Sequence, residues 1–263
     1  MSFNSKVVIV TGSSSGIGAA IALKFTAENA KVVIVGRNEK KLKDITAKCE
    51  QLGSKPLVIV ADVSKGHEAK RIIDDTVKKF GKIDVLINNA GIGGGTSILH
   101  DKAMDVFDRI IATNLRASVY LTHLAAKHLI ETKGNIVNIS SVASKSVISD
   151  EGFGYATSKA GLDHFSRCAA LELASKGVRV NVINPGPVKS DIYENAGATP
   201  EREAAIWDHM KKATPLHRIT EPGEIADLAL FLASDKAVGI TGSTFVSDNG
   251  YLLGGYNILK KNY

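Results

Sequence analysis

Cysteine is scarce in this chain. Only Cys49 and Cys168 occur, far apart and without a histidine at metal-ligand spacing, which argues against both a disulfide framework and a zinc site. Two unpaired thiols fit a reducing compartment, and a cytoplasmic location is expected. The seven histidines form no metal motif, since His123 and His128 are five apart and off a shared helix face. No apolar run approaches the length of a membrane span. The first β-branched run, Val7 to Val10, begins so close to Met1 that no secretory leader is expected. A Pro/Ser-rich linker and low-complexity tracts are also lacking, so the 263 residues are read as one domain, 1–263.

The charge is positive, formally +6 with a pI near 9.1. Its lysines are scattered along amphipathic stretches, as in Lys40, Lys41, Lys43, Lys48 and Lys78, Lys79, Lys82, and no base-stacking aromatic motif accompanies them. Solvated helix faces explain them, and no nucleic-acid partner is expected.

What the sequence does have is short β-branched runs between helical patterns. Val7 to Val10, Val32 to Val35, Leu57 to Val60, Val85 to Ile87, Ile136 to Ile139, Val178 to Ile183 and Thr244 to Val246 imply seven strands. The runs are continuously apolar, as strands buried on both faces require. Ile17, Ile21, Phe25 and Ala69, Ile72, Ile73, Val77, Phe80 carry helical spacing between them. This alternation predicts an α/β fold, a single-domain doubly wound Rossmann-like parallel sheet of about seven strands with helices on both faces.

One stretch breaks the rhythm. From Asn184 to Glu221, two Pro-Gly signals flank Tyr193, Trp207, His209 and Met210, too long for an ordinary connection. It follows a strand end, where open α/β sheets place ligands, so a substrate lid is expected at about 188–220. A surface excursion with its own short helix is the alternative.

Between the first strand and the helix after it lies Thr11, Gly12, Ser13, Ser14, Ser15, Gly16, Ile17, Gly18. Gly12 permits a sharp turn, Gly16 lets the main chain approach a pyrophosphate, and Gly18 allows close helix packing. The helix N-terminus offers free N–H groups to phosphates. At the end of the second strand, where an acid would bind a ribose 2′-hydroxyl, stands Gly36, followed by Arg37, a partner for a 2′-phosphate. NADP(H) is therefore favoured as cofactor. Glu39 is the nearby acid that could serve NAD(H) instead.

The GxxxGxG spacing with its leading threonine resembles the short-chain dehydrogenase/reductase family, and the resemblance covers nearly the whole chain. It implies that the turn residues Ser14, Ser15 and Ile17 join the glycines in cofactor binding. It implies that Asp62 and Val63 meet the adenine ring, with Asp62 as the hydrogen-bonding member. Asn88, Asn89, Ala90, Gly91 resemble the family's NNAG segment, implying that Asn89, Ala90 and Gly91 flank the cofactor ribose. Pro185, Gly186, Pro187, Val188 and Ser190 resemble its PGxVxT segment, with serine in place of threonine, and imply that Val188 and Ser190 meet the carboxamide and neighbouring phosphate.

Tyr155 and Lys159 are four apart on a helical segment and so share a face. A phenol titrating near ~10 needs an adjacent ammonium to exchange a proton near neutrality. By resemblance Ser141 is the catalytic serine, a donor for the substrate oxygen, with Ser140 the adjacent candidate because the loop to Tyr155 is one residue longer than is common. Asn114 matches the fourth catalytic residue, which holds a water linking the lysine to solvent. Lys159 would also bind the nicotinamide ribose.

The implied activity is interconversion of a secondary alcohol and a ketone or aldehyde, Tyr155 acting as acid/base, on a small-molecule substrate. Tyr193, Trp207 and Met210 suggest a hydrophobic or bulky one, steroid-like or isoprenoid. Reduction of an activated carbon–carbon double bond, dehydration, an NAD-dependent enzyme and a non-catalytic NADP(H) sensor are the alternatives. Many members of the family are tetramers, so a homo-oligomer, tetramer or dimer, is expected, with the tail from Gly250 to Tyr263 a candidate contributor.

Overall fold

The computed structural model describes residues 3–192, 197 and 199–254. All seven expected strands form, each within a few residues of its apolar run: β1 (Val7–Thr11), β2 (Lys31–Gly36), β3 (Leu57–Val60), β4 (Val85–Asn88), β5 (Asn135–Ile139), β6 (Arg179–Pro185) and β7 (Thr244–Ser247). They pair in parallel throughout, in the order β3-β2-β1-β4-β5-β6-β7. The order reverses between β1 and β4, and such a switch point opens a crevice at the carboxyl ends of the strands.

The helices among the described residues are α1 (Gly16–Ala27), α2 (Glu39–Gln51), α3 (Gly66–Phe80), α4 (Ala103–Ile111), α5 (Ala117–Thr132), α6 (Phe153–Ala174), α7 (Pro200–Ala213), α8 (Pro222–Ala233) and the short α9 (Tyr251–Gly254). Side chains alternate across a strand, so β1 sends Val8 and Val10 to one layer and Ile9 to the other. The first layer packs Phe25 of α1, Leu42 of α2 and Ile225 of α8 on the sheet. The second packs Ile72 of α3, Leu121 of α5 and Leu173 of α6. With helices on both faces, a continuously apolar strand is the natural solution.

The edges depart from that expectation. β3 leaves Val58 and Val60 each 38% exposed, and β7 is only partly covered, because an edge strand lacks a full complement of helices. Their apolar runs read like central strands, and sequence alone does not distinguish the two positions.

Three local features position the crevice. The Thr11 hydroxyl donates to the Ile87 carbonyl and accepts from the N–H groups of Asn89 and Ala90, so the ends of β1 and β4 are tied side by side. Between α4 and α5 the helix widens into a π turn, Ala112–Arg116, which buries Asn114 completely. After β6 the chain leaves the sheet and returns: Val188 bridges Thr220, with Lys189 N–H donating to the Thr220 carbonyl and Thr220 N–H to that of Pro187. The excursion between these bridges carries α7, which fully buries none of its residues.

Phe25 is fully buried and stacks edge-on with Phe3 at 4.8 Å between ring centroids. Phe25→Ala is expected to cost about 3–5 kcal/mol, whereas Val58→Thr on the edge should stay within about 0.5 kcal/mol. Denaturant midpoints of the two variants check this, and comparable losses would contradict the assignment of β3 to an edge.

Candidate active site

The crevice at the switch point gathers most of the residues singled out in the sequence. Its wall is formed by Gly12, Ser14, Ser15, Gly16 and Ile17, then Arg37, Asp62, Val63, Asn89, Ala90 and Gly91, and finally Tyr155, Lys159 and Ser190. Val35, Gly36, Ala61, Ile139 and Ser140 also line it, as do Ile92, Gly93, Thr113, Asp191 and Ile192, to which no motif in the sequence pointed. Gly18, Asn114 and Ser141 are next to lining residues in the chain, but neither they nor Pro185, Gly186 and Val188 themselves line it.

The glycine turn is built by close approach. Gly12 has φ +66°, and a Cβ there would lie 2.8 Å from the Ala90 Cα. A Cβ on Gly18 would lie 2.3 Å from the Gly12 carbonyl oxygen and 2.4 Å from Asn89 Nδ2. The Asn89 amide occupies that space, donating to the carbonyls of Thr11 at 2.9 Å and Gly12 at 3.2 Å. Ser13 is turned inward, its hydroxyl donating to Val10 and accepting from the Val35 N–H. Ser15, the N-cap of α1, makes no side-chain cap, so the first-turn N–H groups remain available to an anion with the positive end of the helix behind them.

Arg37 is exposed on the rim at the end of β2. Burial alone would raise the Asp62 carboxyl, yet hydrogen bonds from the Ser64 hydroxyl and N–H, with the charges of Arg37 and Lys65, hold it below its ordinary value. One Asp62 oxygen is thus engaged locally. Not every lysine of these stretches is merely solvated: Lys41 of α2 reaches Asp191 at 2.7 Å, tying α2 to the segment after β6, and Lys82, after α3, reaches the buried Asp84 at 2.9 Å. Sequence periodicity places a lysine on a face but not its acidic partner, which for Lys41 is 150 positions away.

Ser141 and Tyr155 meet. The Ser141 side chain hydrogen-bonds the Tyr155 phenol and also accepts from Ala143 N–H at 3.1 Å. Ser140 instead donates to the Lys159 carbonyl at 3.2 Å, so its hydroxyl is turned into the α6 backbone. Lys159 is buried, donates from Nζ to the Ile139 carbonyl at 2.9 Å, and lies 5.8 Å from the Tyr155 ring centroid. Burial draws the Lys159 ammonium down to about 8, against the opposing charge of Asp163. Burial also pushes the Tyr155 phenol up, while the Ser141 hydrogen bond pulls it down.

The Asn114 amide is taken up by protein groups: Oδ1 accepts from Ile92 N–H, and Nδ2 donates to the Ile92 carbonyl and the Ser158 hydroxyl. It therefore fixes the loop after β4 beside Lys159, and a π turn is a frequent companion of functional sites. Gly186 packs against Asp248, with its N–H donating to the Ser247 carbonyl, and Val188 is buried in the bridge to Thr220. Tyr193 lies outside the described residues, as do positions 255–263 of the tail. Trp207 and Met210 sit half-buried on α7. Among the described residues no three His, Cys, Asp or Glu side chains gather as metal ligands, and no helix is long and apolar enough to cross a membrane.

A doubly wound parallel sheet with a glycine turn and an open helix N-terminus at its switch point defines a nucleotide-binding α/β protein. Comparison with known proteins narrows the class. A family model described as Enoyl-(Acyl carrier protein) reductase matches residues 12–252. Glucose 1-dehydrogenase 2 of Bacillus subtilis is 33% identical over 94% of this chain and 95% of its own length. The A-factor type gamma-butyrolactone 1'-reductase (1S-forming) of Streptomyces virginiae is 34% identical over 94% of this chain and 96% of its own. A crystal structure of a short-chain dehydrogenase/reductase of unknown function from Caenorhabditis elegans, with cofactor, superposes with a TM-score of 0.90 at 35% identity, covering 95% of this chain and 96% of that one. The chain belongs to the short-chain dehydrogenase/reductase family of oxidoreductases, which use nicotinamide cofactors.

The contact at Gly18 yields a direct test. Gly18→Ala must force Gly12 and Asn89 apart and is expected to lose about 1–3 kcal/mol, together with the rise in Tm that a nicotinamide dinucleotide confers. Gly239→Ala, where a Cβ meets nothing within 4 Å, should stay within about 0.5 kcal/mol. Thermal melts with and without dinucleotide separate the two.

Proposed function

We propose that this chain is an NADP(H)-dependent oxidoreductase interconverting a secondary alcohol and a ketone or aldehyde, with Tyr155 as acid/base. The observation that carries the reading is Tyr155 and Lys159 in the same crevice as the uncapped α1 N-terminus and Arg37, with Ser141 hydrogen-bonded to the phenol at its edge. The donor set fits a dinucleotide phosphate. The turn from Gly12 to Gly18, with Ser14, Ser15 and Ile17, would hold the pyrophosphate. Arg37 would pair the 2′-phosphate. Asp62 and Val63 would meet the adenine, Asn89, Ala90 and Gly91 the ribose, and Lys159 the nicotinamide ribose. Ser190 and, through its main chain, Val188 would meet the carboxamide end, with Pro185 and Gly186 shaping that turn.

When bound, the nicotinamide supplies the hydride. Ser141 orients the substrate oxygen with its hydroxyl. Tyr155, kept protonated by its buried setting, hands its proton to that oxygen in reduction and accepts one from the alcohol in oxidation. Lys159 is largely cationic at neutral pH with its value near 8, and its charge favours the phenolate left on Tyr155. Asn114 holds the Ile92 segment and Ser158 in place around this pair.

The half-buried Trp207 and Met210 on α7 support a lid over a hydrophobic or bulky substrate. Free Cys49 and Cys168 fit the cytoplasm, and Leu171, 83% exposed on α6, fits a homo-oligomer, tetramer or dimer.

Fluorescence titration with NADPH and NADH tests the cofactor first. NADPH should bind at least about tenfold tighter, and Arg37→Ala should remove that preference. Equal affinities unchanged in the variant would point to NAD(H). A series of ketones, aldehydes and one activated enone then tests the chemistry. Tyr155→Phe should lower kcat by about 10²–10⁴-fold and Ser141→Ala by about 10²-fold, with Ser140→Ala close to wild type. Tight NADPH binding without turnover of any carbonyl would favour the sensor, and turnover of the enone alone would favour double-bond reduction. Trp207→Ala should raise KM for the bulkiest ketones only; unchanged kinetics across the series would remove α7 from the substrate site.

A further inference from the structure

The helix that carries Tyr155 and Lys159 carries a third polar group on the same face. Asp163 follows Lys159 by one more step of four, so residues 155, 159 and 163 run down one stripe of α6. It is 5% exposed, a rare setting for a carboxylate. Its Oδ2 accepts from the Ser144 hydroxyl at 2.7 Å and from Asn184 Nδ2 at 2.9 Å.

Both partners lead to one atom. The Ser141 carbonyl oxygen lies 2.9 Å from Asn184 Nδ2 and 2.7 Å from the Ser144 hydroxyl, and also receives the Ser144 N–H at 3.0 Å. The two Asn184 N–H donors are shared among three acceptors, the third being the Ser144 hydroxyl oxygen at 2.7 Å, and the single Ser144 proton is divided between carboxylate and carbonyl. The short 3₁₀ turn Val142–Ser144 that follows Ser141 is thereby tied to β6 and to α6. The cluster also holds Asp163 Oδ1 and Asn184 Oδ1 buried without a hydrogen-bond partner among the described residues. Fold stability alone would favour an apolar packing here, since a buried charge and two unsatisfied acceptors are unfavourable.

We propose that Asp163 is a positioning residue of this site: through Ser144 and Asn184 it fixes the Ser141 main chain so that the serine hydroxyl meets Tyr155, and it provides the counter-charge to the Lys159 ammonium. The inference rests on the reading of Ser141, Tyr155 and Lys159 given above. Geometry and charge agree. Tyr155 and Asp163, both on α6, are the ionisable groups that face Lys159 among the described residues. Asn114 from the π turn, the Ile139 carbonyl of β5 and Gly91 of the loop after β4 contribute neutral dipoles. Burial pulls the Lys159 proton off, and Asp163 is the charge that retains it.

The test uses two variants with different effects. Asp163→Asn keeps the size and removes the charge; Ser144→Ala keeps the charge and removes one tie. Neither residue lines the crevice, so NADPH affinity by fluorescence should stay within about twofold in both. Lys159 is followed without any substrate, by NMR titration of carbon-13-labelled lysine side chains in the NADP⁺-saturated protein, its signal identified by its absence in Lys159→Arg.

Asp163→Asn should move the Lys159 midpoint down by about one unit, bring the alkaline limb of carbonyl reduction down with it, and lower kcat about tenfold at unchanged KM. Ser144→Ala should lower kcat similarly while leaving the Lys159 midpoint in place. A wild-type midpoint and kcat in Asp163→Asn would overturn the proposal, as would a fall in Tm alone. If Asp163→Asn does not fold, Ser144→Ala decides, and full kcat there overturns the tie to Ser141. Failure of the wild type to turn over any carbonyl would instead sink the functional reading, and the lysine titration would still decide whether Asp163 acts on Lys159.

Discussion

The fold and its site depend on one close approach, that of the turn after β1 to the end of β4. Gly12 and Gly18 leave no Cβ between the two chains, Asn89 fills the gap with two hydrogen bonds, and Thr11 secures the β4 end from the other side. The arrangement is a geometric consequence of strand order. Because β1 is flanked by β2 and β4, the segments leaving β1 and β4 must diverge to opposite faces, and only a turn without side-chain bulk allows them to part so sharply. The uncapped α1 N-terminus faces the crevice because that turn aims it there.

The half of the crevice around Tyr155 is set by a different rule, the period of α6. Residues four apart on a helix share a face, so one helix presents Tyr155 and Lys159 to the crevice and Asp163 to its base. β5 delivers Ser140 and Ser141 at its end, and the alternation of the strand decides between them. One hydroxyl turns into α6 and the other toward Tyr155. The notch between α4 and α5 adds Asn114 from a third direction. Three elements therefore converge around Tyr155 and Lys159, and the two that supply Ser141 and the Tyr155–Lys159 pair are a strand end and a helix packed on the sheet.

Much of this was legible in the sequence. Strands buried on both faces have a simple signature, so the seven runs and their parallel pairing could be read from apolar continuity and the alternation with helices. The glycine turn and the Tyr155–Lys159 pair were legible because local spacing dictates their geometry. The edge status of β3 and β7 was not, since it depends on which strands lie beside them. Ile92, Thr113, Asp191 and Ile192 were missed because they join the crevice through tertiary packing. The same holds for Lys41, whose acidic partner Asp191 is 150 positions away. Asp163 did carry a signal, the continued spacing of four after Lys159, but an aspartate on a helix face is ordinarily solvated and draws attention only once its burial is known.

The electrostatics of the Tyr155–Lys159 pair follow from two opposing influences. Low-dielectric surroundings favour the neutral form of each, raising the phenol and lowering the ammonium, which alone would leave a tyrosine unable to ionise and a lysine without charge. The polar neighbours act the other way on each member. Ser141 favours the phenolate through a hydrogen bond, and Asp163 favours the ammonium through its charge. The net result at neutral pH is a protonated phenol beside a largely cationic ammonium. Each member of the pair therefore depends on one polar neighbour, and removing Ser141 or Asp163 would leave burial unopposed at that member alone, the phenol moving further up or the ammonium further down.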